Sequence, residues 1–85
     1  MKDNHKEKRR PTMLSVIDAP CIELSGNREI LIEGSKGVLE YAPECVRVNM
    51  AGMILTVEGR ELDLRCISES ALIIEGFILS LQFTV

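Results

Sequence analysis

A short aliphatic run that ends in Glu-Gly occurs three times in this chain. The three copies end at Gly34, Gly59 and Gly76, and each is rich in Ile, Leu, Val or Thr. These residues favour the pleated surface of a strand, whereas glycine accepts a positive φ without steric cost. Each copy therefore predicts a strand that runs into a turn, and the repeat indicates an all-β fold without indicating a reaction.

Glycines and other turn-forming residues divide the chain after Pro20 into short segments. All six glycines lie at the edges of apolar runs, and the connections have the length of hairpin turns. A helical alternative fails because Gly or Pro interrupts most windows, and only residues 12–19 could form a short helix. The sequence predicts a small antiparallel meander of about eight short strands, curled or packed as a roll or sandwich. These strands are expected near residues 20–24, 28–33, 37–42, 45–50, 53–58, 61–67, 70–75 and 77–84.

Three of the predicted strands are apolar on both faces. Residues 30–32, 53–55 and 72–74 contain only Ile, Leu and Met. Such strands need a cover on both sides, which either a curled sheet or a second copy of the chain can provide. The small aromatic content also makes the core thin, so oligomerisation is a plausible source of stability. We therefore expect a possible homo-oligomer or partner face at Ile54, Leu72 and Ile73.

The N-terminal residues differ in charge from the rest of the chain. Residues 1–12 contain five basic and two acidic side chains, whereas residues 13–85 contain five basic and eleven acidic ones. We therefore expect a disordered basic tail over residues 1–12 and a single β-domain over residues 13–85. Nucleic acid is not an expected partner, because phosphate groups would be repelled by an acidic body.

The basic cluster of the tail has two interpretations, either a solubilising extension or an electrostatic tether to an anionic membrane. A tether would gain about 1 kcal/mol for each basic residue near the leaflet. No run approaches the ~20 apolar residues that span a bilayer, and no signal-peptide core is present. We expect a cytoplasmic protein whose membrane association is at most peripheral. The residues of this possible membrane or partner contact are Lys6, Lys8, Arg9 and Arg10.

No group of reactive side chains stands out in the sequence. The glutamates of the three Glu-Gly copies occupy equivalent strand ends, which is typical of solvated positions and not of an acid and base pair. The three cysteines are odd in number and form no C-x-x-C pair, and the only histidine lies in the tail. We expect small buried thiols in a reducing compartment and no catalytic, cofactor or metal site. The cysteines are Cys21, Cys45 and Cys66.

An ordered series of glycines and aliphatic residues extends over about residues 18–83. The series begins with residues 20–27, 30–33 and 36–41. It continues through Gly52, residues 57–59, Leu62, Ile67, residues 72–74, Gly76 and Ile78. In this order the residues resemble the YabP/YqfC family of small sporulation proteins, most closely the YqfC branch. The chain departs from the family at the turn of residues 34–37 and at Pro11.

The resemblance implies a non-enzymatic protein made in the mother cell of an endospore-forming bacterium. It also implies a partner, a sporulation membrane protein of the YqfD type. We therefore expect an adaptor or scaffold that docks on this partner through a strand edge or an apolar face. The alternative is a self-assembling structural β-protein resembling bactofilins. The intervals of 25 and 17 residues between the Glu-Gly copies argue against the constant period of a solenoid.

Overall fold

The structure of the protein is a computed structural model that describes residues 20–85. These residues form one antiparallel sheet with the strand order β1-β2-β6-β5-β4-β3. The predicted all-β antiparallel fold is confirmed, with six strands instead of about eight. The basic tail and the possible helix over residues 12–19 lie outside the described residues. The strands are β1 (Cys21–Ser25), β2 (Glu29–Glu33), β3 (Ser35–Ala42), β4 (Cys45–Met50), β5 (Met53–Cys66) and β6 (Ala71–Thr84).

The strand count is lower because β5 and β6 each join two of the predicted strands. Both strands have 14 residues, and each contains a Glu-Gly copy in its interior. Their pairing shifts register between Glu58 and Gly59 and again between Arg60 and Asp63. The predicted turns after Gly59 and Gly76 are therefore wrong, because the β5–β6 hairpin bends there without ending.

The bend requires glycine because two backbones come unusually close. A Cβ atom on Gly59 would overlap the carbonyl oxygen of Phe77. Gly76 has a φ of +143°, and its Cβ would lie 2.6 Å from the carbonyl oxygen of Glu61. Glu61 itself has a φ of +54°, which is uncommon for a residue with a side chain. The bend is therefore a bulge in both strands. Gly59 is required there only because a side chain would not fit, since its φ is not positive.

The bend folds the single sheet into two layers. The first layer contains β1, β2, residues 71–75 of β6 and residues 63–66 of β5. The second layer contains β3, β4 and the remaining halves of β5 and β6. No helix is present among residues 20–85, and the buried side chains of the two layers form one cluster. The shared core consists of Ile30, Ile32, Val46, Val48, Met50, Leu55, Val57, Leu62, Leu72, Ile74 and Ile78.

Tyr41 closes one side of the two-layered sheet. Its hydroxyl donates to Oδ1 of Asp63 over 3.0 Å and accepts from the backbone N–H of Leu64 over 3.2 Å. These bonds connect β3, the edge of the second layer, to the free edge of β5 in the first layer. The opposite side of the sheet is formed by β1 and the second half of β6.

Replacing Tyr41 with Phe should open this side of the sheet without unfolding it. The change removes two hydrogen bonds between partly hydrated groups, so we expect a loss of about 1 kcal/mol in the free energy of unfolding. Urea titration measures this loss, and amide exchange at Leu64 should accelerate. Ser80→Ala, which removes only the exposed bond from the Ser80 hydroxyl to Glu58, is the control. An unchanged exchange rate at Leu64 would show that Tyr41 does not hold the two edges together.

Candidate protein-binding surfaces

The residues predicted to form a partner face do not share one surface. Leu72 is 4% exposed and belongs to the core, so it contacts no partner while the protein is folded. Ile73 is half-buried on the outer face of the first layer, and Ile54 is half-buried on the outer face of the second layer. These two side chains therefore point away from each other. The predicted contact of Lys6, Lys8, Arg9 and Arg10 lies outside the described residues.

The outer face of the first layer combines an apolar pair with carboxylates. Leu31 lies directly opposite Ile73 on the neighbouring strand. In the next row, three carboxylates stand opposite one another on β2, β6 and β5. Two further carboxylates lie on this face in β1 and β2. We call this surface the acidic face, and it comprises Glu23, Glu29, Leu31, Glu33, Asp63, Arg65, Ile73 and Glu75.

The acidic face keeps an excess of negative charge despite one ion pair. Nη2 of Arg65 lies 2.9 Å from Oε2 of Glu75, and both side chains are about half exposed. An exposed ion pair of this kind stabilises the fold by less than about 1 kcal/mol. Like charges directly opposite one another on neighbouring strands are unfavourable, so the row of Glu29, Glu75 and Asp63 costs stability. A surface that retains such a row is suited to a basic partner.

The second half of β6 forms a free edge of the sheet. β2 pairs with β6 only at residues 71–75. Beyond them, the N–H groups of Gly76 and Ile78 donate to carbonyl oxygens of the β1–β2 turn. Residues 79–84 then pair with β5 alone, and we call them the C-terminal edge. This edge contains no charged residue, Pro or Gly, and its Leu79 and Phe83 are 65% and 53% exposed.

Uncharged free edges are unusual because they can pair with other chains. Natural proteins protect most edges with charges, proline or bulges. Here a bulge at Leu79, between the paired residues Ile78 and Ser80, marks the start of the C-terminal edge. Arg28 covers the adjoining corner, where its guanidinium lies 4.2 Å from the ring centre of Phe77. Beyond this corner, residues 79–84 pair with no second strand of the described sheet.

The described side chains provide little reactive chemistry. Partial burial, followed by the charges of Glu40 and Glu58, raises the pKa of the Cys45 thiol. A thiol with a raised pKa is protonated at neutral pH and is a poor nucleophile. Within residues 20–85, no three His, Cys, Asp or Glu side chains are placed to hold a metal ion. Nor does this part of the chain contain a helix long and apolar enough to span a bilayer.

Sequence reasoning missed the C-terminal edge. The sequence predicts residues 77–84 as one more strand of a meander. No pattern within these residues indicates that β2 pairs with β6 only as far as residue 75. One available signal is that the last nine residues, 77–85, contain no charge in a chain that is otherwise rich in charged residues. Such a segment is expected either in a core or at an interface.

Comparison with known protein families provides an independent assignment. Residues 18–85 match the model of the YabP family. A search of curated proteins and a search of solved structures give no match. The matched range contains all six strands and both candidate surfaces. Because this match covers well over half of the sequence, the chain belongs to the YabP family.

Proposed function

We propose that the protein is a non-enzymatic sporulation adaptor that binds a membrane protein through its acidic face. Membership of the YabP family is consistent with a sporulation-related role. The resemblance to the YqfC branch adds the finer expectation of a mother-cell protein with a YqfD-type membrane partner. The observation that carries the proposal is the apolar pair Leu31 and Ile73, which has Arg65 on one side and carboxylates on the other sides.

The chemistry of the acidic face favours a protein partner over a lipid surface. An anionic leaflet repels carboxylates, so the described body gains nothing from direct contact with lipid headgroups. Cytoplasmic segments beside membrane helices, in contrast, are enriched in Lys and Arg. Such a segment can pair with the carboxylates while an apolar side chain covers Leu31 and Ile73, which is the usual arrangement of an anchor within a polar rim. The partner then brings the adaptor to the cytoplasmic surface of the membrane.

Exchanging Ile73 for Lys tests this docking surface. The substitution removes the apolar centre and places a positive charge against a basic partner, so the yield of YqfD-type protein in a pull-down should fall roughly tenfold or more. The pull-down uses detergent-solubilised membranes of sporulating cells and the full-length tagged protein. Ile54→Lys is the matched control, because Ile54 is also a half-buried isoleucine and lies on the other outer face.

Three results would contradict the proposal. The first is equal capture by the Ile73→Lys variant and the unmodified protein. The second is an equal loss with Ile54→Lys, which would indicate a nonspecific effect of the added charge. The third is capture that rises with salt, since an ion-paired interface weakens when its charges are screened.

The self-assembly alternative in the form of a stacked solenoid does not agree with the fold. In a solenoid, each repeat contacts only its sequence neighbours. Here β2 pairs with β6, and all strand pairs are antiparallel. The three Glu-Gly copies also lie in different settings. The first is at the connection between β2 and β3, and the other two are within the bulge of β5 and β6. We therefore do not propose a filament of stacked repeats.

A further inference from the structure

We propose that the C-terminal edge pairs with the same edge of a second copy of the chain, in an antiparallel register centred on Gln82. The dimer would join the two second layers into one continuous sheet. This inference uses a surface separate from the acidic face, so it goes beyond the adaptor function and can fail independently of it.

Hydrogen bonds around the bulge show which groups of the edge are free. The N–H of Ile78 donates to the backbone carbonyl oxygen of Asn27, on the side of β6 away from β5. The N–H of Gly59 donates to the backbone carbonyl oxygen of Glu44, on the side of β5 away from β6. The facing pair Gly59 and Ile78 therefore exchanges no ladder bonds. Bonded and non-bonded pairs alternate along an antiparallel ladder. After the bulge, this alternation directs the N–H and C=O groups of Leu81 and Phe83 away from β5, toward the open side.

The outward groups of Leu81 and Phe83 define a symmetric register. When Leu81 faces Phe83 of the second copy, the two residues exchange N–H···O bonds. By two-fold symmetry, Phe83 of the first copy makes the same bonds with Leu81 of the second. Gln82 then faces Gln82 of the second copy, and Ser80 faces Thr84. Aliphatic residues opposite aromatic ones, and Ser opposite Thr, are favourable cross-strand pairs. The side chains of residues 80–84 therefore each face a suitable partner in this register.

The charge distribution favours a second copy as the occupant. Among the free edges of the described sheet, β1 carries Glu23, β3 carries Lys36 and Glu40, and residues 63–66 of β5 carry Asp63 and Arg65. Only the C-terminal edge is uncharged, so self-pairing at this edge places no charge against an apolar residue. The acidic bodies repel each other at long range, and salt screens that repulsion. The dimer should therefore tighten as salt is raised, whereas a basic peptide bound to this acidic protein would be released.

Charge substitutions at Gln82 test the dimer. Gln82→Lys places two like charges opposite each other at the two-fold axis, so dimerisation of the full-length protein should weaken roughly tenfold or more. Gln82→Glu should have the same effect, and an equimolar mixture of the two variants should associate again. Sedimentation equilibrium at tens of micromolar measures each case. Thr56→Lys is the control, because Thr56 faces Gln82 from β5 and lies one strand away from the axis.

Several outcomes of this experiment would overturn the proposal. One is a protein that remains monomeric at tens of micromolar in raised salt. Another is a Gln82→Lys variant that dimerises as well as the unmodified protein. A mixture of the Lys and Glu variants that stays monomeric would contradict the symmetric register.

A disulfide tests the register directly. Non-bonded antiparallel pairs have Cα atoms about 4.5 Å apart, within the range of about 4.4–6.8 Å for disulfides. With the three native cysteines replaced by Ala, Gln82→Cys should form a covalent dimer under mild oxidation. Thr84→Cys should not, because in this register Thr84 faces Ser80 of the second copy. Equal cross-linking of both variants, or none for Gln82→Cys, would exclude pairing centred on Gln82.

Discussion

Gly59→Val is expected to lower the free energy of unfolding by more than about 3 kcal/mol, which is enough to unfold a domain of this size. The new Cβ would overlap the backbone carbonyl of Phe77 and lie 3.1 Å from Cδ2 of Leu62. Because the obstacle is the backbone of the paired strand, only displacement of β6 can relieve the overlap. Gly76→Val should be similarly severe, since its Cβ would meet carbonyl oxygens of the bulge and its φ is positive.

Two variants separate this close contact from milder effects. Gly26→Ala changes a glycine with a φ of +56° and open space around it, so we expect a loss of only about 1 kcal/mol. Glu58→Gln alters an exposed side chain beside Gly59 and should stay within about 0.5 kcal/mol. Circular dichroism with urea titration measures all four proteins. A Gly59→Val protein as stable as Gly26→Ala would show that the two strands are not in contact at the bulge.

Leu72→Lys is expected to unfold the protein, whereas Ile73→Lys should leave it folded. Leu72 is 4% exposed in the shared core, where a Lys ammonium group would be buried without a partner. Burial of an unpaired charge costs several kcal/mol, a large part of the stability of a small domain. Ile73 is half-buried on the acidic face, so a Lys there extends into solvent among carboxylates, with Arg65 as its cationic neighbour on β5. Its cost should be about 1 kcal/mol or less.

The comparison of these adjacent residues also tests which face of β6 points into the core. Urea titration and amide exchange at Ile74 measure the stability, with Leu72→Met as a control that keeps the volume and the apolar character. Equal destabilisation by Leu72→Lys and Ile73→Lys would show that both faces of β6 are buried. In that case the acidic face would be an internal surface, and the adaptor proposal would lose its docking site.

Local chemistry was enough to determine the fold class. Alternation in β4, with Val46, Val48 and Met50 directed inward, is visible in the sequence because a strand has a side-chain period of two. The turns of two or three residues between β1 and β2, β3 and β4, and β4 and β5 were predicted from their turn residues for the same local reason.

The tertiary structure alone decided the features that depend on distant residues. A Glu-Gly pair can precede a turn or a bulge, and the choice at Gly59 depends on the backbone of Phe77, which lies on another strand. The assignment of Leu72 to the core and Ile73 to the surface could not be predicted, because both residues are apolar. The C-terminal edge exists because β2 has 5 residues whereas β6 has 14, so the shorter strand leaves residues 79–84 uncovered. Edge accessibility is a property of neighbouring strands, so the uncharged residues 77–85 predict a core or interface segment without distinguishing a free edge.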